Sequence, residues 1–221
     1  MSTTAQHASS AAPAPWKASF LSHLNDSMDS PEFVLATLHS APAGSPTPLV
    51  PHARFCIFRG MWAELPPNER NAAPANPRVF ESEMPTFTTD VRMHKVPELF
   101  GSGAGHARSE SQAQGSGGGG PVEAVWWVKE VKVQWRIKGE AFVVARDIEG
   151  EGAESSGVRT VKSEVGRRMK VVHEGSEADW SWQTELTGHF GNLSPAMRGA
   201  SSLKPRRRPA VLRRSTPLPF H

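Results

Sequence analysis

The stretch V-K-V-Q-W-R-I-K at 131–138 constrains this chain more than any other. Val131, Val133, Trp135 and Ile137 alternate strictly with Lys132, Gln134, Arg136 and Lys138. A period of two is the signature of a strand with one face in a core and the other in water. The apolar run Val125-Trp126-Trp127-Val128 precedes it, and Lys129-Glu130 offers a turn, so residues 122–145 read as a long β-hairpin.

Other segments supply the partners of that hairpin. Pro15-Trp16-Lys17 opens a helical pattern in which Trp16, Phe20, Leu21 and Leu24 share a face and Asn25-Asp26-Ser27 ends it. F-V-L-A-T-L at 33–38, closed by Ala-Pro-Ala-Gly-Ser-Pro, predicts a strand and a turn. A second strand is expected at 53–62, then a Pro- and Asn-rich loop at 66–77 leading to Val79-Phe80. Residues 149–157 read as a loop and 158–173 as one more strand. A helix is expected at 177–190, packing Trp180, Leu186 and Phe190, with Trp182 on a neighbouring face. Ser194-Pro195 then looks like an N-cap followed by proline at the first helical position. The elements have no βαβ alternation, so the expected architecture is mainly β, a small β-barrel with α-helical additions.

At 221 residues the chain suits one domain, assigned to 16–199, with appendages. Residues 1–15 are Ala, Ser, Thr and Pro without an apolar run; they are expected to be disordered, neither signal peptide nor anchor. Residues 101–120 are Gly, Ser and Gln and read as a flexible insert, with no strand before them and no helix after to suit a dinucleotide fingerprint. The tail, 200–221, holds Lys204, Arg206, Arg207, Arg208, Arg213 and Arg214 and no acid. Removing these six cations from the net +3 leaves −3 for the rest, so the basic pI belongs to a tail expected to be disordered. The one cysteine, Cys56, excludes an intramolecular disulfide and points to a reducing, cytoplasmic setting. Tyrosine is absent, so no phenol takes part in proton transfer.

Three segments carry polar groups suited to chemistry. F-T-T-D-V-R-M-H-K-V-P-E-L at 87–99 places Arg92, His94 and Lys95 behind the N-cap types Thr88, Thr89 and Asp90. Cations beside the free amides of a helix start suit a phosphate. Arg92 and Lys95 would share a helical face, while Pro97 limits the helix. Arg54 and Arg59 flank an apolar strand on opposite faces, so both meet one ligand only through a bulge or from the strand end. Gln134 and Arg136 lie on the polar face of the hairpin. Taken alone, the first and third segments read more simply as solvated surface groups, while for Arg54 and Arg59 that reading and a ligand role are evenly matched. No nucleophile and base pair is readable, leaving catalytic residues unassigned. Nine histidines lack His-x-x-x-His or other metal spacing, so no metal site is expected.

In order, these segments resemble the pyridoxamine 5'-phosphate oxidase-like, FMN-binding split-barrel family, and look most like its fungal and cyanobacterial branch. The motifs are A-P-W-K at 14–17, R-F-C-I-F-R-G at 54–60, F-T-T-D-V-R-M-H-K at 87–95, V-Q-W-R-I-K-G at 133–139 and H-F-G-N-L-S-P-A-M-R at 189–198. The resemblance implies that Arg54 and Arg59 take strand positions contacting FMN, that Thr88 and Thr89 precede the phosphate site, and that Lys95 supplies its cation. His94 falls where family members have arginine, with Arg92 as substitute; Gln134 matches a flavin-contacting glutamine, and Arg136 is counted with it. It also implies a homodimer with FMN between subunits. Contacts to a phosphate dianion are worth about 1.5–3 kcal/mol each, so three give about 5–9 kcal/mol before comparable association costs. Burial of the ring by a partner subunit is therefore needed.

Relatives continue beyond Met197-Arg198-Gly199 into further strands, whereas 200–221 shows no strand periodicity, so the barrel is expected to be incomplete at its C-terminal end. An altered reading frame or a misplaced gene end would give such a tail. The substrate-phosphate positions of true pyridoxamine phosphate oxidases fall in that part, so vitamin B6 oxidation does not transfer. The expectation is an FMN-binding protein acting as a flavin-dependent oxidoreductase on an unassigned small molecule, with no membrane partner. The alternatives are a non-catalytic split-barrel remnant serving as an interaction module, and a nucleic-acid binder using the basic tail, the latter disfavoured for want of interleaved aromatics.

Overall fold

The computed structural model describes residues 12–100, 115–149 and 154–202. The expected disorder at 1–11 and the basic tail beyond 202 lie outside the described residues, as do 101–114 of the expected insert and 150–153 of the expected loop.

The expected hairpin is the centre of the molecule. Strands β4 (Gly117–Val128) and β5 (Val133–Val143) pair antiparallel, with Trp126 opposite Trp135 and Trp127 opposite Gln134. Their turn takes in Val131, and Lys132 closes it with a φ of 54°. From Val133 onward the alternation holds, Trp135 and Ile137 facing inward while Gln134, Arg136 and Lys138 are exposed. Strands β1 (Glu32–Ser40) and β2 (Leu49–Ile57) complete a sheet of order β2-β1-β4-β5. Helix α1 (Pro15–Ser27) starts on proline and lays Phe20 and Leu24 onto the sheet. Phe20 meets Phe58, Trp126 and Trp135 edge-to-face, and Trp126 stacks on Phe33 at 4.5 Å. Burying an aromatic of this kind is worth about 1.5–3 kcal/mol before entropy. Lys17 lies buried on the same helix, where Glu64 accepts from its Nζ at 2.7 Å.

The structure revises three expectations about single elements. The strand expected at 53–62 runs from Leu49 to Ile57. The chain then leaves the sheet, because the Arg59 amide donates to Thr86 O at 2.8 Å and Gly60 turns with a φ of 105°. Gly117–Gly120, expected in the flexible insert, begin β4 instead. A Cβ at Gly120 would stand 2.6 Å from Leu99 O and 2.8 Å from Glu98 O, so glycine lets helix α2 (Lys95–Phe100) rest its backbone on the strand. Residues 158–173, expected as a strand, are mostly helix α3 (Ser156–Gly166). Val158, Val161 and Val165 recur with helical spacing on its buried face, and Ser155 Oγ accepts from the Val158 amide at 3.2 Å as the N-cap. Only Lys170–Val171 (β6) is extended there, paired with Phe80–Glu81 (β3). The mainly β architecture with added helices is as expected: the described strands form an open four-stranded sheet and a two-stranded ribbon, consistent with a split barrel.

A second core gathers Trp62, Ile148, the α3 valines and Trp180. Helix α4 (Trp182–Gly191) is capped by Ser181 Oγ, which accepts from the Thr184 amide at 3.1 Å. Its inward face is Glu185, Gly188 and His189, so Phe190, expected to pack, is exposed. Helix α5 (Pro195–Ser202) follows Ser194, whose Oγ accepts from the Met197 amide at 3.3 Å, the N-cap and proline arrangement expected. Among the described residues, no helix is long and apolar enough to cross a membrane.

Candidate functional site

Strand register places a line of polar groups on the core-facing side of β1 and β2. Phe33 and Leu35 point into the core, and the same parity continues to Thr37 and His39. Across the ladder, Arg54 lies opposite Leu35 and His52 opposite Thr37. Helix α2 brings Glu98 against them, its side chain only 1 % exposed. Thr37 Oγ1 and Arg54 Nη2 each donate to Glu98 Oε2 at 2.5 Å, and His52 Nδ1 bonds Oε1 at 2.7 Å. Burial pushes the Glu98 carboxyl up, but the bonds from Thr37 and His52 and the Arg54 guanidinium outweigh it and hold the group below its ordinary value. Arg54 is fully committed, since Nη1 donates to Thr37 Oγ1, Leu35 O and His52 O.

Lys95, the first residue of α2, stands in the opposite condition. It is buried, 9 % exposed, and its ammonium has no hydrogen bond or carboxylate partner among the described residues. Its stem is buried while the ammonium keeps contact with solvent, which leaves the cation open to an anion. The neighbouring Cys56 thiol is pushed up by burial, against the pull of Lys95 and Arg54. Arg59 resembles Lys95. Its Nε is buried without a partner, burial lowers its pKa, and among the described residues its one hydrogen bond from the side chain goes to Met197 Sδ at 3.7 Å. Pairing of Arg59 N with Thr86 O at 2.8 Å, and of Thr86 N with Gly60 O at 2.9 Å, sets this arginine beside the 87–95 segment.

Within that segment Thr88 and Thr89 are half-buried, and their amides have no intrachain partner among the described residues. The helix begins at Lys95, later than the N-cap types led one to expect, so Arg92 and Lys95 do not share a helical face. Asp90 accounts for the delay. Its Oδ1 accepts from the Arg92 amide at 2.9 Å and from Arg92 Nε at 2.8 Å, closing a turn and holding Arg92 outward. That pairing, against a lesser effect of burial, keeps the Asp90 carboxyl below its ordinary value. His94 is exposed. Pro97 is the third residue of α2, where its missing amide costs no intrahelical bond.

Gln134 and Arg136 are exposed on β5, at the opposite edge of the sheet from β2, so one chain does not bring them to Lys95. Glu123 Oε1 accepts from Arg136 Nε at 2.6 Å. Both sit on the outer face of the sheet, where one row runs Phe55, Val34, Val125, Arg136 and the next places Trp127 beside Gln134. Phe55 is 75 % exposed there and Trp127 55 %.

Glu98, Thr37, His39 and His52 did not stand out in the sequence. The one signal was parity: Thr37 and His39 continue the alternation of Phe33 and Leu35, and a polar residue in a core register asks for a partner.

A family model described as pyridoxamine 5'-phosphate oxidase, FMN-binding domain, matches residues 13–145. No curated protein and no solved structure is similar enough to match. The matched span runs from the start of α1 to the end of β5 and contains Lys95, Arg59, both threonines and Gln134. By this match over more than half of its length, and by its antiparallel sheet with added helices, the chain belongs to the pyridoxamine 5'-phosphate oxidase FMN-binding family.

Proposed function

We propose that this chain binds FMN and serves as a flavin-dependent oxidoreductase, with the FMN phosphate at Lys95. The ammonium of Lys95, on a buried stem and without a carboxylate partner among the described residues, carries the reading, because a cation with uncommitted donors suits phosphate oxygens. Arg59 supplies a second cation, and the amides of Thr88 and Thr89, which have no partner among the described residues, supply donors that suit phosphate oxygens. Arg92 and His94 are exposed and serve attraction of the phosphate rather than its burial. Arg54 is spent on Glu98, so its part in this reading is to fix α2, and hence Lys95, against the sheet.

Bound flavin would supply hydride chemistry that side chains lack, the protein contributing binding, orientation and electrostatics. A phosphate site alone retains the cofactor weakly; the ring needs cover. The outer sheet face with Phe55 and Trp127 supports a homodimer, in which Gln134 and Arg136 of that face serve the flavin of the second copy. A cytoplasmic setting is part of the same reading, supported by the buried free thiol of Cys56. The test is the absorption spectrum of the purified, untagged chain. Flavin bands and FMN release on denaturation are expected, while a colourless protein that takes up no added FMN would leave the non-catalytic interaction module as the reading.

A further inference from the structure

His39 on β1 and His52 on β2 are diagonal neighbours across the ladder, since His52 pairs with Thr37 and His39 with Val50. Their rings stack at 4.9 Å between centroids with 13° between planes. Both turn Nδ1 toward one oxygen, Glu98 Oε1, at 2.7 Å from His52 and 3.7 Å from His39. A hydrogen bond explains the first of these and not the second, which is beyond bonding distance. The three donor atoms lie within 4.8 Å of one another. We propose that His39, His52 and Glu98 bind a divalent transition-metal cation, zinc in the first instance, through Nδ1, Nδ1 and Oε1.

The donor chemistry selects the metal. Two imidazole nitrogens and one carboxylate oxygen form a zinc set with distances of about 2.0–2.2 Å, and the fourth tetrahedral position goes to water. Magnesium and calcium ask for about six or more oxygens and find one here. Glu98 is prepared for the role from behind. Thr37 and Arg54 hold Oε2, which fixes the carboxylate plane and leaves Oε1 facing the histidines. The imidazoles are each 44 % exposed, so a cation enters from solvent and the rings close on it by side-chain rotation at the end of a rigid sheet. The Arg54 charge opposes a dication and so weakens its binding.

The experiment uses the full untagged chain, stripped with chelator and titrated with Zn2+ by calorimetry, both free of FMN and after addition of FMN. One Zn2+ per chain is expected in either state, insensitive to excess Mg2+, with Co2+ giving the visible bands of a tetrahedral site. His39→Gln and His52→Gln should each weaken Zn2+ binding roughly tenfold or more, while His173→Gln, an exposed histidine elsewhere, should not. Far-UV circular dichroism checks that the variants fold. Zn2+ binding unchanged in the double variant H39Q/H52Q, the absence of stoichiometric uptake by the parent chain, or displacement by Mg2+ would each overturn the proposal. None of these readouts depends on whether the flavin reading holds.

Discussion

Arg54 on β2 donates from Nη2 to Oε2 of Glu98 on α2 at 2.5 Å, joining the edge of the sheet to the helix that begins with Lys95. The carboxylate is almost wholly buried and the guanidinium about one-fifth exposed, so neither partner tolerates solitude. Glu98→Ala should cost about 2–3 kcal/mol, below the range for fully buried pairs because Arg54 keeps some water. Arg54→Ala should cost a similar amount. The double variant should lose less than the sum, since each single change strands the other charge. Urea unfolding of the four proteins measures this, and simple additivity would show that the pair is not coupled.

Lys95→Met should separate stability from binding. The substitution removes an ammonium that has no carboxylate partner among the described residues and keeps the apolar stem, so the protein without flavin should match the parent's stability to within about 0.5 kcal/mol. FMN affinity should fall about 10- to 150-fold, the equivalent of one charge-assisted contact of about 1.5–3 kcal/mol. Thermal melts without ligand and fluorescence titration with FMN read the two effects. Loss of stability with unchanged affinity would move the phosphate elsewhere.

What could be read from the sequence was set by local physics. Trp135 and Ile137 alternate because one side of β5 meets a core, and Pro15 marks a helix start through its own ring, so the hairpin and α1 were legible. The valines of α3 suggest a strand because β-branched residues favour strands, whereas their spacing is helical and tertiary burial decides the outcome. Lys95 is visible as a cation, but the burial of its stem depends on where α2 packs, and α2 rests on Gly120, a contact distant in sequence. Glu98 with Arg54, His52 and His39 needed the β1–β2 register and the placement of α2 together, and no spacing rule encodes that conjunction.

Gly120→Ala tests the seating of α2. Its Cβ would fall 2.6 Å from Leu99 O, a backbone atom that cannot rotate away, so the helix must shift. Overpacking of this kind costs about 1–3 kcal/mol. Gly139→Ala on β5 meets nothing within 4 Å and should be neutral or stabilising by up to about 1 kcal/mol. Equal melting temperatures for the two variants would contradict the close contact.

Phe55→Glu and Trp127→Glu probe the outer sheet face. Both side chains are largely exposed in the single chain, so the monomer should lose no more than about 0.5 kcal/mol. In a dimer built on this face each charge would be buried unpaired, and light scattering behind size exclusion should show a shift to monomer. A parent chain that is already monomeric, or variants that remain dimeric, would move the interface off this face.

Glu83 ties the start of α1 to the β3–β6 ribbon, since its Oε1 accepts from the Ala14 amide at 3.0 Å and from Lys170 Nζ at 2.5 Å. Burial pushes its carboxyl up, but the Lys170 and Ala14 bonds and the charges of Lys170 and Lys17 outweigh burial, and the folded pKa lies below the ordinary value. A depressed carboxylate contributes stability that is fully present above the unfolded pKa of about 4.3 and disappears as pH falls through the folded value. Glu83→Gln should therefore be less stable than the parent at pH 7, by about 1 kcal/mol given that the pair is partly solvated. The difference should shrink steadily on acidification below about pH 4.3, where the parent carboxyl takes up its proton. Urea midpoints of both proteins from pH 7 down to pH 3 follow the convergence, and a gap that stays constant over that window would mean that the Ala14 and Lys170 contacts owe nothing to the charge of Glu83.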